Sequence, residues 1–185
     1  MSGMMIHLDD FGEDDLLERR FEIGSAEVDE MLADTEYRCA DGLVAQLVAN
    51  RVGSTVRVKG SVRAQVQYEC GRCLEARTSP LDVEPDFVLM EAEEFASTYA
   101  AEEIELEAED MDVSVYSGEQ LDLAPLVREA ILLELPAVPR CPEELREQCD
   151  EAYRRNVGEK ALKSIEEASM DQRWAPLTEI KLKKD

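Results

Sequence analysis

At 185 residues, 44% apolar and 5% aromatic, the chain is long enough for one domain with a sizeable core built mainly from Val, Leu and Ala. Its net charge of −23, from 43 acidic against 20 basic residues, repels bare phosphate backbones at long range and attracts basic partners, which is not the balance of a general nucleic-acid binder. No apolar run approaches the ~18 residues of a membrane span and no secretory leader opens the sequence, while five cysteines, an odd number, fit reduced thiols in a cytoplasm better than a disulfide framework.

In chain order, residues 4–8 form a short strand candidate and residues 9–18 an acidic segment. Residues 26–33 fit two helical turns, too short to stand without packing. From Gly42 the pattern turns to period two. Leu43, Ala45, Leu47 and Ala49 alternate with Val44, Gln46, Val48 and Asn50, a strand with both faces partly covered. Arg51-Val52-Gly53-Ser54 supplies a turn, and the cleanest run in the chain follows. Val56, Val58, Val62, Ala64, Val66, Tyr68 and Cys70 share one face, while Arg57, Lys59, Ser61, Arg63, Gln65, Gln67 and Glu69 share the other. Strict alternation of this kind predicts a half-buried antiparallel strand, wet on one side, with Gly60 as a bulge or bend. Beyond a Cys-Gly-Arg-Cys turn, Leu81, Val83, Phe87 and Leu89 fall on one face, and Pro80 and Pro85 mark an edge strand. Short connections make these three runs an antiparallel meander.

Residues 91–112 carry many carboxylates and no basic residue. They read as a solvated connection with a short strand at Ile104, Leu106 and Ala108, or as an acidic arm that screens or mimics a nucleic-acid surface. Val113 and Val115 add another short strand. The best helix runs over residues 121–135, with Asp122 placed to cap it, Leu121 to staple onto Leu126, and Pro136 to end it. Pro125 falls in its first turn, where a missing N–H costs nothing. Leu123, Leu126, Val127, Ala130 and Ile131 form an apolar stripe that predicts the cover on the sheet. After Pro139, a charge-rich helical segment reaches about residue 167, and Trp174 in the polar tail predicts an anchor onto the body. The expected fold class is α+β: a curved antiparallel sheet, a meander able to bend toward a barrel, covered by one main helix. One domain spans 1–140, with 91–112 as its acidic connection, and 141–185 is a helical segment and tail packing on it.

Cys70, Cys73, Cys141 and Cys149 are the one set of residues suited to a metal. Zinc takes four soft ligands in a tetrahedron, and a Cys-x-x-Cys turn supplies two of them. The second pair is wider. On one continuous helix Cys141 and Cys149 would stand roughly 12 Å apart, so the set closes only if Cys141 precedes the helix and the chain bends at Pro142. Inert buried thiols and a redox dithiol are the alternatives. The dithiol lacks the helix N-terminus that activates such pairs, with Arg72 the one nearby cation. Cys39 reads as a small buried apolar residue, and His7 has no recognisable partner. Without an acid–base pair, a phosphate loop or a nucleophile elbow, the chain reads as neither an enzyme nor a receptor for a small-molecule substrate. Its charge is uneven: Arg51, Arg57, Lys59, Arg63, Arg72 and Arg77 cluster against only Glu69 and Glu75. Arg57, Lys59 and Arg63, with Arg51, lie on the wet face, and Arg72 is presented on the turn. Such a stripe either contacts phosphate or a partner, or pairs internally with the acidic arm.

Three blocks, in order from about Gly42 to Leu177, resemble the YceD family of large ribosomal RNA subunit accumulation proteins. They are the strand running into Cys70-Gly71-Arg72-Cys73-Leu74, the acidic-capped helix ending at Leu135-Pro136, and Asp171-Gln172-Arg173-Trp174-Ala175-Pro176-Leu177. In the last of these, Asp171, Arg173 and Trp174 carry the likeness. The chain departs from the family pattern in having only Cys141 and Cys149 where relatives carry a denser cysteine knuckle, and Gln172 where proline is usual. The resemblance implies a non-enzymatic factor for accumulation of large-subunit (23S) ribosomal RNA. Its implied partners are that RNA, a small basic ribosomal protein, or both. A cysteine- or zinc-based redox sensor is the alternative from another class.

Overall fold

The computed structural model describes residues 3–98 and 113–157. Period-two alternation becomes one long hairpin of β3 (Tyr37–Val52) and β4 (Thr55–Glu69), turning at Gly53 with φ 64°. Leu43, Ala45, Leu47 and Ala49 from β3 and Val56, Val58, Val62 and Val66 from β4 point inward, none more than 2% exposed. Each large aliphatic side chain so buried contributes roughly 1.5–3 kcal/mol as an upper figure.

The other edge of β3 pairs antiparallel with β2 (Leu16–Ile23), a strand absent from the expected elements. Its inward positions, opposite Ala49, Leu47, Ala45 and Leu43, are Leu17, Arg19, Phe21 and Ile23, and Arg19 breaks the apolar pattern. The free edge of β4 takes β5 (Ala76–Val83) and β6 (Asp86–Glu91) end to end. Val62 faces Val83 and Lys59 faces Asp86 in one unbroken register, so these two are a single long strand interrupted at Glu84-Pro85. β7 (Val113–Tyr116) then joins β6 in parallel.

The three expected runs form an antiparallel meander, β3 with β4 and β4 with β5 and β6. The path β2-β3-β4-β6-β7, with β5 on β4, makes a mixed six-stranded sheet, so the expectation of a wholly antiparallel sheet is corrected by β7. Among the described residues its two ends stay separate, so it is not closed into a barrel. The expected bulge at Gly60 is also corrected. Register runs unshifted through it, and the irregularity lies in β3 between Cys39 and Leu43. Gly60 answers to crowding instead, since a Cβ there would lie 1.9 Å from the Gln46 carbonyl oxygen.

A two-stranded sheet of β1 (Met5–His7) and β8 (Gln120–Asp122) packs into the same core, with Ile6 opposite Leu121 and both fully buried. This pairing shortens the expected 121–135 helix. The Leu123 N–H still donates to the Met4 carbonyl at 2.9 Å, so α3 begins only at Ala124 (Ala124–Glu134). The Asp122 carboxylate nevertheless accepts the Ala124 N–H at 3.0 Å, close to its expected capping role. Leu123, Val127 and Ile131 enter the cluster formed by the inner faces of β3 and β4. α1 (Ser25–Met31) shares the cover through Val28, and the Arg128 Nε ties α3 to it by donating to the Met31 carbonyl at 2.7 Å. α2 (Ala92–Thr98) takes up the described part of the acidic connection.

The chain divides into two compact units, Met1–Glu69 with Ala76–Pro139, and Cys70–Glu75 with Arg140–Asp185. In the second, α4 (Arg146–Val157) follows a 3-10 turn at Glu143–Leu145. No helix among the described residues is long and apolar enough to cross a membrane. The Ile104-Leu106-Ala108 strand candidate, the helical segment past residue 157 and the block with Asp171, Arg173 and Trp174 lie outside the described residues.

Candidate metal centre and charged sheet face

Cys70-Gly71-Arg72-Cys73 occupies the short loop between β4 and β5. The Leu74 N–H donates to the Cys70 carbonyl at 2.9 Å, and the Cys70 N–H to the Glu75 carbonyl at 3.0 Å. This winding holds Leu74 at φ 59°, in the left-handed region that costs a side chain of this kind about 1–2 kcal/mol. The backbone N–H groups of Cys73 and Arg72 turn toward the Cys70 sulfur, and that of Cys141 joins them. Burial pushes the Cys70 thiol up, but these donors outweigh it and bring the group down to about 6.

The bend that the wide second spacing requires is present. Cys141 precedes Pro142 and the 3-10 turn, while Cys149 rides on α4. All four sulfurs lie within 4.8 Å of one another, with Cys73 to Cys141 at 3.6 Å and Cys70 to Cys149 at 4.0 Å. A tetrahedral zinc with bonds near ~2.3 Å sets its sulfurs ~3.8 Å apart, so the set matches that geometry. Cys70, Cys73 and Cys149 are buried, Cys141 is half-buried, and none of the four is in a disulfide. Burial, then the sulfurs of Cys141, Cys73 and Cys70, push the Cys149 thiol up to about 12. A soft divalent ion would replace that proton, and four thiolates would leave it no open position for catalysis.

One face of α4 supports the loop. Cys149, Ala152, Tyr153 and Asn156 follow helical spacing, and the Asn156 amide donates to the Cys73 carbonyl. Arg72 pairs with Asp150 at 2.6 Å and lies over the Tyr153 ring, 5.2 Å from its centroid, while Arg155 pairs with Glu75. Sequence reading missed Asp150, Tyr153, Arg155 and Asn156. Their one signal is the helical spacing from Cys149, which says nothing of partners some eighty positions earlier.

The basic stripe sits where alternation puts it, on the outer face of β4. Arg57 grips Asp86 with two bonds of 2.8 Å, Lys59 reaches the same carboxylate at 3.0 Å, and Arg63 meets Asp82 at 3.2 Å. Arg51 pairs with Asp15 at 3.3 Å. The Arg57 guanidinium and the Lys59 ammonium hold the Asp86 carboxyl well below the usual carboxylate range. Internal pairing was expected with the acidic arm. Among the described residues, the partners of Arg57, Lys59 and Arg63 are strand carboxylates, placed across β4 by its register with β5 and β6. Residues 99–112 of that arm lie outside the described residues. Cys39 is buried as expected, its sulfur accepting the Gly42 N–H at 3.2 Å, and His7 is an exposed residue of β1.

A family model, described as large ribosomal RNA subunit accumulation protein YceD, matches residues 58–181. That span takes in the four clustered cysteines, Lys59, Arg63 and Arg72, and begins one residue after Arg57. No curated protein and no solved structure matches the chain.

Proposed function

The chain belongs to the YceD family, and from that premise we propose that it is a non-enzymatic ribosome-assembly factor of the cytoplasm that supports accumulation of large-subunit ribosomal RNA. The family match carries this reading. Its finer part concerns the partner. A charge of −23 favours a basic ribosomal protein, because the chain can shield such a protein before it reaches RNA. Phosphates approaching Arg57, Lys59 and Arg63 would have to displace Asp86 and Asp82, so direct RNA contact through the stripe is the lesser contribution.

The cluster of Cys70, Cys73, Cys141 and Cys149 is in this reading a structural zinc site that fixes the Cys70–Glu75 loop to α4. Bound zinc would supply folding free energy there, and the closed sulfur set supports a structural role over a redox-sensing one.

The test is depletion of the protein in cells, with mature large-subunit RNA as the readout, paired with affinity capture at low and high salt that identifies both RNA and proteins. Depletion should lower large-subunit RNA relative to small-subunit RNA. Capture should return basic large-subunit proteins at low salt and lose them at high salt. Unchanged RNA levels on full depletion would remove the assembly role.

A further inference from the structure

Within the sheet unit, α3 and the strands β6 and β7 enclose an open groove of about 430 Å³. Its apolar lining comes from half-buried Phe87, Val113, Leu126 and Ala130, together with Leu133. Leu133 is 82% exposed, more than any other large apolar side chain among the described residues. A leucine so placed gains nothing for the fold and has apolar surface left for a partner. The rim is carboxylate. Among the described residues, Glu84, Glu129 and Glu134 line it, no basic residue does, and none of these three makes a salt bridge. They differ in this from Asp86, whose charge Arg57 and Lys59 already meet.

We infer that this groove is the docking surface for an amphipathic basic segment of a protein partner. Aliphatic side chains of that segment seat on Leu126, Ala130 and Leu133, and flanking lysines or arginines meet Glu84, Glu129 and Glu134. The charge pattern selects this occupant. RNA would bring phosphates to a rim of carboxylates, and a second copy would set one such rim against another on a chain of net charge −23. The inference rests on the basic-partner reading above and adds where that partner binds.

The full chain is titrated by fluorescence anisotropy with a labelled peptide of leucine and lysine in helical periodicity, and with an all-lysine peptide of equal charge. Leu133→Ser and the pair Glu129→Gln/Glu134→Gln should each weaken the amphipathic peptide roughly tenfold. The pair Glu18→Gln/Glu22→Gln, on another strand, should leave its affinity unchanged. Equal binding of the two peptides, or equal losses in groove and control variants, would overturn the docking site. The same variants are then offered proteins stripped from purified large ribosomal subunits. Groove variants should lose basic proteins that the control retains. Wild-type protein capturing no basic protein sinks the partner reading and the groove with it, whereas equal capture by wild type and groove variants sinks the groove alone.

Discussion

Lys59 and Asp86 stand directly opposite each other across β4 and β6, and their charged ends meet at 3.0 Å. Arg57, two positions along the strand, closes on the same carboxylate by donating from its Nε and Nη2. Strand register thus turns a sequence that looks basic into a surface that is largely neutral.

Asp86→Asn tests that network. The fold favours the ionised carboxylate, so its stabilisation is fully present above about pH 4 and is lost as pH falls toward the depressed folded value. Both cations are about half exposed, so the loss at neutral pH should be about 1 kcal/mol or less. Urea unfolding of variant and wild type should show a gap at pH 7 that narrows steadily below about pH 4. A gap that does not change with pH would mean that packing, and not charge, is at stake.

Changing Arg57, Lys59 and Arg63 together to glutamine tests the stripe against RNA. Each phosphate contact adds about 0.7 (single strand) to 0.9 (duplex) to the slope of log affinity against log salt. Because Asp82 and Asp86 already engage these side chains, the slope measured with large-subunit RNA should move by less than one such contact. A drop of about two or more would establish direct phosphate contact by the stripe.

Much of this was legible in the sequence because it is local. Alternation from Leu43 to Tyr68 fixed two strands and their inner faces, and the spacing of Leu123, Val127 and Ile131 fixed the buried side of α3. The cysteine set was legible with one condition attached, that the chain bend before Cys149. What stayed hidden depends on distant pairing. β8 is three residues long and is a strand only because β1 lies beside it. β2 was masked by Arg19 on its inward side, where the side chain is met by Asp10 at 3.0 Å. Parallel pairing of β7 with β6, and the hold of Asp150 on Arg72, join segments that no local pattern connects.

Gly60→Ala should be among the most damaging single-methyl additions in the sheet. Its Cβ would meet the Gln46 carbonyl oxygen at 1.9 Å and the Leu47 Cα at 2.9 Å, both of them backbone atoms in the middle of the β3–β4 pairing. Relief requires moving a strand, at a cost of about 3 kcal/mol or more. Gly53→Ala is the control. Its Cβ meets nothing within 4 Å, so only the left-handed backbone at φ 64° is at issue, at about 1 kcal/mol. Chemical denaturation should rank the two in that order, and a Gly60→Ala protein as stable as Gly53→Ala would show that β4 can shift away from β3.

Metal removal should act on one part of the molecule. The sulfur cluster, with Ala152 and half-buried Tyr153, forms a hydrophobic cluster that shares no residue with the core of the sheet. Protein purified without chelator should carry stoichiometric zinc, and Cys70→Ser and Cys141→Ser should each lose it, because each removes one of four ligands. Cys39→Ser should keep it, since that sulfur lies in the sheet core. Stripping the metal withdraws the binding free energy that offsets burial of four thiols and the left-handed Leu74, so amides of the Cys70–Glu75 loop and α4 should lose hydrogen-exchange protection. Amides of β3 and β4 should keep theirs, held by the valine and leucine core. Protection of α4 that survives both chelation and Cys70→Ser would show that Asp150, Tyr153 and Asn156 suffice to hold the loop, and that the four sulfurs are not a metal site.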